Sequence, residues 1–225
     1  MSEMQKKYSD FYLKKVGRYL WPTEFVVRAL LGKTYKFNET SSKGAALDLG
    51  FGDGRNLQLL ASLYSSVYGL EISKEICDAA ISKFPEVKYL NGYSHNIPVK
   101  NDSFDLVLAA HSIYYCDFGG IEENFSEVSR VIKSGGRFIF SMPKKNSYLI
   151  HNAELLDGSY ARVKKDPLNL RNNSLLKYCE SVEDLERLLA AAGFENISVG
   201  SAENDWWGVR EFCWIVSCNK SSHSE

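Results

Sequence analysis

From residue 48 the chain reads Asp48-Leu49-Gly50-Phe51-Gly52-Asp53-Gly54-Arg55-Asn56, an acid followed by three alternating glycines. Without a Cβ, such a turn lets main-chain N–H groups approach a ligand closely. The apolar run before it, Gly44-Ala45-Ala46-Leu47, reads as a buried strand, and Leu57, Leu60 and Leu63 behind it have helical spacing. Strand, glycine turn and helix in that order put the turn at the carboxyl edge of a parallel sheet, where open α/β sheets bind ligands. A dinucleotide fingerprint needs a third glycine where Arg55 stands, and Asp53 at the helix entrance repels a pyrophosphate. The pattern therefore favours a ligand that carries a cation near the turn. Glu71 ends the next apolar run, Ser66 to Leu70, and a carboxylate there is placed to accept from both hydroxyls of a ribose. A third polar turn, Gly92-Tyr93-Ser94-His95-Asn96-Ile97-Pro98, precedes the strand Ser103–Ala110 and is placed to flank a flat base.

These turns require a frame. Strands are expected at 44–50, 66–71, 86–90, 103–110 and 137–142, with helices at 56–65, from the N-cap Ser73 to about Lys83, and at 121–132. Strand, short loop and helix repeat four times, which argues a parallel sheet covered on both faces. After Pro143 the rhythm breaks. Residues 144–177 are polar, basic and weakly periodic, an insertion long enough to suspect function. A helix from Ser181 to Ala192 and strands at 196–199 and 211–216 close the chain. The expected organisation is a helical cap at 1–43, one domain at 44–220 containing the insertion, and a tail at 221–225.

Composition narrows the class. The chain has 225 residues, 27 basic against 28 acidic, and 44% hydrophobic, enough to bury a core without disulfide or metal. No apolar run reaches membrane-spanning length, and Met1 to Lys7 lead into no signal-like segment, so a cytoplasmic protein is expected. Five scattered cysteines and four histidines show no zinc-ligand spacing; no metal is expected. Net charge is −1, yet residues 1–43 carry nine basic and four acidic side chains and residues 144–177 seven and three. If these segments meet they form a positive patch for an anionic ligand; otherwise each is a solvated face. No basic run of the kind that binds nucleic acid is present.

Together these motifs resemble the class I S-adenosylmethionine-dependent methyltransferases, in their small-molecule branch, over about residues 44–142. Glu127-Val128-Ser129-Arg130-Val131-Ile132-Lys133-Ser134-Gly135-Gly136 is similar to that family's Glu-x-x-Arg-Val-Leu-Lys-Pro-Gly-Gly segment. The resemblance implies a Rossmann-like seven-stranded sheet, mostly parallel with an antiparallel last strand. It implies S-adenosylmethionine as cofactor and S-adenosylhomocysteine as product. Asp48, Leu49, Gly50, Phe51, Gly52, Gly54 and Asn56 would hold the methionine part, Glu71 and Ile72 the ribose, and Ser94, His95 and Asn96 the adenine, with His111 beside them. Tyr93 stands where the family has an aspartate on the adenine amino group.

The implied reaction passes a methyl group to oxygen or nitrogen of a small, anionic or sugar-type acceptor. A hydroxyl acceptor calls for a base, and His111 and His151 are the candidates; either is otherwise a pocket-lining or structural ring. Tyr12, Tyr19, Trp21 and Tyr115 either meet the acceptor or pack the cap. A catalytically silent cofactor-binding regulator and an RNA or protein methyltransferase are the alternatives, with a monomer or homodimer expected in each case.

Overall fold

The computed structural model describes residues 3–18, 21–32, 44–166 and 169–222. Two helices, α1 (Glu3–Leu13) and α2 (Glu24–Leu31), precede the first strand. The units β1 (Ala45–Leu49), α3 (Leu57–Leu63), β2 (Ser66–Glu71), α4 (Lys74–Ile81), β3 (Val87–Asn91), β4 (Phe104–Ala109), α5 (Ile121–Val131) and β5 (Ile132–Pro143) then follow. Ser73 caps α4 as its sequence predicts, its hydroxyl accepting from Ile76 N at 3.3 Å. Every residue of β4 is buried, because it lies inside the sheet with both faces covered.

Beyond Pro143 come α6 (Tyr148–His151), β6 (Ala153–Leu156), β7 (Tyr160–Val163), β8 (Leu175–Lys177), α7 (Val182–Ala191), β9 (Phe194–Trp206) and β10 (Val209–Lys220). The main sheet runs β3-β2-β1-β4-β5-β10-β9. Strands β1 to β5 are parallel, and β10 is antiparallel to both β5 and β9. The antiparallel last strand is thus present, inserted between β5 and β9.

The structure adds to the sequence reading in two places. Within the insertion expected at 144–177, β6, β7 and β8 form their own antiparallel sheet. Strands of three or four residues are too short for an alternating pattern to register. The closing strands are also much longer than expected. Trp207 and Gly208 both have positive φ (52° and 91°), the requirement of a tight two-residue hairpin turn, so pairing continues to Trp206 and Val209. Residues 203–205 are acidic and polar without alternation, which hid this extension.

Two apolar layers hold the sheet rigid. One face packs against α5, α7 and the small sheet through Phe125, Phe138, Phe140, Leu185 and Leu176. The other packs against α2, α3 and α4 through Val26, Leu57, Leu60, Ile76 and Ile139. Each such buried side chain contributes about 1.5–3 kcal/mol, so the strand ends are fixed platforms. The Glu127–Arg130 pair of α5 has a positioning task as well. Glu127 Oε1 accepts from Ile97 N at 2.6 Å, and Arg130 donates to Ile97 O and Val99 O, both at 2.9 Å. These bonds pin the turn between β3 and β4.

Candidate functional site

A cavity of about 420 Å³ opens at the carboxyl edge of the parallel strands, within the usual size for a small-molecule site of about 300–1,000 Å³. Its wall follows the strand order. From β1, β2 and the turn after β3 come Leu49 to Gly52, Leu70 to Ile72 and Gly92 to His95; from β4 come Ala110 to Ser112; from β5 and β10 come Pro143, Glu211 and Cys213.

The glycine turn is strained as its sequence demands. Gly50 lies at φ +72°, and a Cβ there would come 2.6 Å from Ser112 Cβ. Gly52, at φ +55°, faces Tyr12 of α1, whose ring would be 3.0 Å from an added Cβ. Glu71 is 2% exposed, with both oxygens engaged. Oε1 accepts from Ile72 N (2.8 Å) and Ser73 N (3.4 Å), and Oε2 from Gly52 N (3.2 Å) and the Tyr8 hydroxyl (3.4 Å). Burial pushes its pKa up, while those donors pull it down. Asp48 lies immediately behind the wall rather than on it, 1% exposed, with Oδ2 meeting no hydrogen-bond partner. Burial, then the charges of Asp53 and Glu71, raise its pKa to about 8, so its carboxyl is mostly protonated at pH 7. Asp53 serves a different end from the one its position suggests. It is buried under Arg55 as an ion pair, with Nη2 at 2.6 Å and Nε at 3.0 Å.

His111 sits in the middle of the wall at φ +59°, a conformation rarely held by a non-glycine residue. Its side chain is exposed where it opens to the cavity. Desolvation by the cavity wall, followed by the guanidinium groups of Arg171 and Arg55, lowers its pKa below the usual imidazole value. The Ser141 hydroxyl, wholly buried, accepts from His111 N (2.9 Å) and lies 3.2 Å from Nδ1. Among the described residues nothing else takes the Ser141 proton, and a buried hydroxyl without an acceptor costs about 1–3 kcal/mol. The hydrogen-bond count therefore assigns that proton to Nδ1 and puts the ring's own proton on Nε2. So arranged, the histidine is a donor toward the cavity.

The other sequence candidates divide. Phe51, Asn56, Ile72, Ser94, His95, Tyr12 and Tyr115 line the cavity, as do Leu49, Gly50, Gly52 and Glu71. Asn56 Oδ1 also accepts from Thr23 N (3.0 Å), tying the chain before α2 to the site. Gly54 is off the wall, facing Phe84. Asn96 is off it too, and its main-chain N–H closes the turn onto Tyr93 O at 3.1 Å. Trp21 is 84% exposed, and His151 is exposed at the end of α6; neither reaches the cavity. Tyr19 lies outside the described residues. Sequence reasoning missed Tyr8, Phe118, Tyr148, Arg171 and Glu211, all of which line the cavity. Phe118 packs on Tyr93 (centroids 5.0 Å apart), an aromatic pair at the mouth beside Ser94 and His95.

The two basic segments do meet here, but only Lys15 and Arg171 among their described basic residues line the cavity. Arg162 bonds Asn173 O and Lys164 pairs with Glu154, away from it. Among the described residues no group of three or more His, Cys, Asp or Glu is arranged to hold a metal ion. The five cysteines are free and buried. Among the described residues no helix is long and apolar enough to cross a membrane.

Sheet order, glycine turn and terminal acid of β2 together define a Rossmann-like fold. Comparison with known proteins agrees. Residues 47–140 match the family described as methyltransferase domain. The uncharacterized methyltransferase YcgJ of Bacillus subtilis is 26% identical over 143 residues, 59% of this chain and 56% of that protein. An uncharacterized protein of Methanocaldococcus jannaschii is 25% identical over 207 residues, 86% of this chain and 74% of its own. The chain thus spans little more than half the length of YcgJ. In fold it is similar to a SAM-dependent methyltransferase of Thermotoga maritima, described as a possible histamine N-methyltransferase (TM-score 0.61, 20% identity, 96% and 95% of the two chains). It is also similar to the putative methyltransferase that is complexed with the Trm112 activator in Haloferax volcanii (TM-score 0.68, 16% identity, 98% and 99%). The chain thus shares the fold of these methyltransferase structures, and residues 47–140 match a methyltransferase domain.

Proposed function

We propose that the protein transfers a methyl group from S-adenosylmethionine to an oxygen or nitrogen of a small acceptor, anionic or sugar-like in character. One observation carries this reading. The buried Glu71 carboxylate and the Gly50–Gly52 turn face one cavity, joined by the Gly52 N–H. Glu71 would accept the ribose hydroxyls, and the turn would admit the methionine part. Tyr93, Ser94, His95 and Phe118 would enclose the adenine. The unpartnered Asp48 carboxyl behind the turn suits a nearby ammonium. Bound in this way, the cofactor supplies a sulfonium-activated methyl for in-line displacement. The chain's own contribution is then to orient the two molecules, worth about 7–11 kcal/mol of barrier, and to exclude water. In the same reading α1 and α2 form a cap over the cofactor half, and residues 144–177 build the acceptor half. With His111 a donor, an acceptor that needs no base, such as a neutral amine or a carboxylate, fits best.

Incubation with methyl-labelled S-adenosylmethionine and a fractionated metabolite extract tests the assignment. Label is expected in the low-mass fraction; label confined to RNA or protein, or no transfer despite cofactor binding, would contradict it. Asp48 gives a second expectation. An arriving ammonium lowers its pKa from about 8, so binding S-adenosylhomocysteine at pH 7 should release close to one proton. Calorimetry in buffers of different ionisation enthalpy reads this release, and Asp48→Asn should abolish it. Proton uptake on binding would count against the role.

A further inference from the structure

The sheet order separates the cavity into two halves, and the proposed cofactor contacts use only one of them. Glu71, the glycine turn and the 92–95 turn belong to β2, β1 and β3. On the other side of β4, the wall is built by Pro143 of β5, by Glu211 and Cys213 of β10, and by the segments around Tyr148 and Arg171. Arg171 is the basic group of this second half. Its Nε donates to the Tyr115 hydroxyl at 2.9 Å, and its Nη1 pairs with Asp166 at 3.2 Å. Asp166 has a wholly buried side chain that also accepts from Leu170 N (2.9 Å) and Arg171 N (3.2 Å). The guanidinium is therefore held on both sides, by Tyr115 and by Asp166.

A guanidinium carries five N–H donors. Two are used here, and no protein group among the described residues takes the remaining donors, on Nη1 and Nη2. A planar fork of this kind matches a carboxylate. The surrounding wall is aromatic: the Tyr115 ring stacks on Tyr114 (centroids 5.0 Å apart, planes at 24°), and Tyr148 lines the same half. Glu211 is the opposing acid, exposed on β10 and, among the described residues, without a hydrogen-bond or ion-pair partner.

Building on the methyltransferase reading, we propose that Arg171 is the specificity-determining residue of the acceptor half, and that it takes the carboxylate of a flat aromatic acceptor. Tyr115 and Asp166 act as its positioning residues. The carboxylate is remote from the methylated atom, since a guanidinium bound to a nucleophile would suppress its attack.

Benzoate, benzyl alcohol and benzylamine, titrated into protein saturated with S-adenosylhomocysteine, test this. Benzoate should bind at least tenfold tighter than benzyl alcohol. Arg171→Gln should erase that preference while leaving S-adenosylhomocysteine affinity within about twofold. Arg171→Lys, which keeps the charge but not the fork, should fall between, guarding against a loop that merely unfolds. Tightest binding of benzylamine would overturn the proposal in favour of Glu211 reading a cation. Loss of S-adenosylhomocysteine affinity in Arg171→Gln, with benzoate unaffected, would overturn it by giving the guanidinium to the cofactor's own carboxylate. Failure of the wild-type protein to bind S-adenosylhomocysteine is a separate result, which defeats the cofactor reading itself.

Discussion

Glu71→Ala should weaken S-adenosylhomocysteine binding at least tenfold. The variant removes the acceptor of a charge-assisted hydrogen bond worth about 1.5–3 kcal/mol, and about 1.4 kcal/mol is a factor of ten. The geometry adds a second expectation. A carboxylate offers about four lone-pair sites, and Ile72 N, Ser73 N, Gly52 N and the Tyr8 hydroxyl already meet them. A ribose diol must therefore take a place now filled. The three N–H donors are fixed in the main chain, whereas Tyr8, at 3.4 Å, is a side chain of α1. Tyr8 is the donor that yields. Tyr8→Phe, with no bond to break on binding, should hold S-adenosylhomocysteine several-fold tighter, by about 1 kcal/mol. Calorimetry on both variants checks the pair. Affinity within threefold of wild type in Glu71→Ala would remove Glu71 from the site, and weaker binding in Tyr8→Phe would make Tyr8 a cofactor contact.

Gly50→Ala carries the second large effect. A left-handed alanine costs about 1–2 kcal/mol. Its Cβ would also press on Ser112, 2.6 Å away, and overpacking of that kind costs about 1–3 kcal/mol more. For a chain of this size each kcal/mol shifts Tm by about 2–4 °C, so a fall on the order of 10 °C is expected. S-adenosylhomocysteine should bind at least tenfold more weakly as the turn is displaced. Gly135 is the natural control: its φ is +71° but nothing lies within 4 Å of an added Cβ. Gly135→Ala should show the backbone cost alone, a few degrees, with affinity unchanged. Equal losses in the two variants would mean that close approach at Gly50 contributes nothing.

The parts legible in the sequence are those where neighbouring residues decide the geometry. The Gly50–Gly54 run, the apolar strands on either side and the Ser73 cap are local signals, and each forms as read. Glu71 was legible because a strand fixes where its last residue lies. What escaped depends on distant partners. Tyr8 reaches Glu71 across 63 positions, and Arg171 reaches Tyr115 across 56, with no spacing in the chain to announce either contact. The donor character of His111 follows from Ser141, thirty residues away on the next strand. Asn96 was raised by its place in the 92–98 turn beside Tyr93, but it lies off the cavity wall. Charge totals located the two basic segments over the cavity but did not reveal which cations face inward. Arg162 and Lys164 are engaged on the small sheet, while Asp166 directs Arg171 to the interior.

The central claim is that the cavity at the carboxyl edge of β1, β2 and β4 binds S-adenosylmethionine rather than a dinucleotide. Calorimetric titration of the unmodified protein with S-adenosylhomocysteine, and separately with NAD, tests it most directly. The account predicts a single site of micromolar affinity for S-adenosylhomocysteine and no heat of binding with NAD. NAD binding of comparable strength, or no binding of S-adenosylhomocysteine at millimolar concentration, would contradict it.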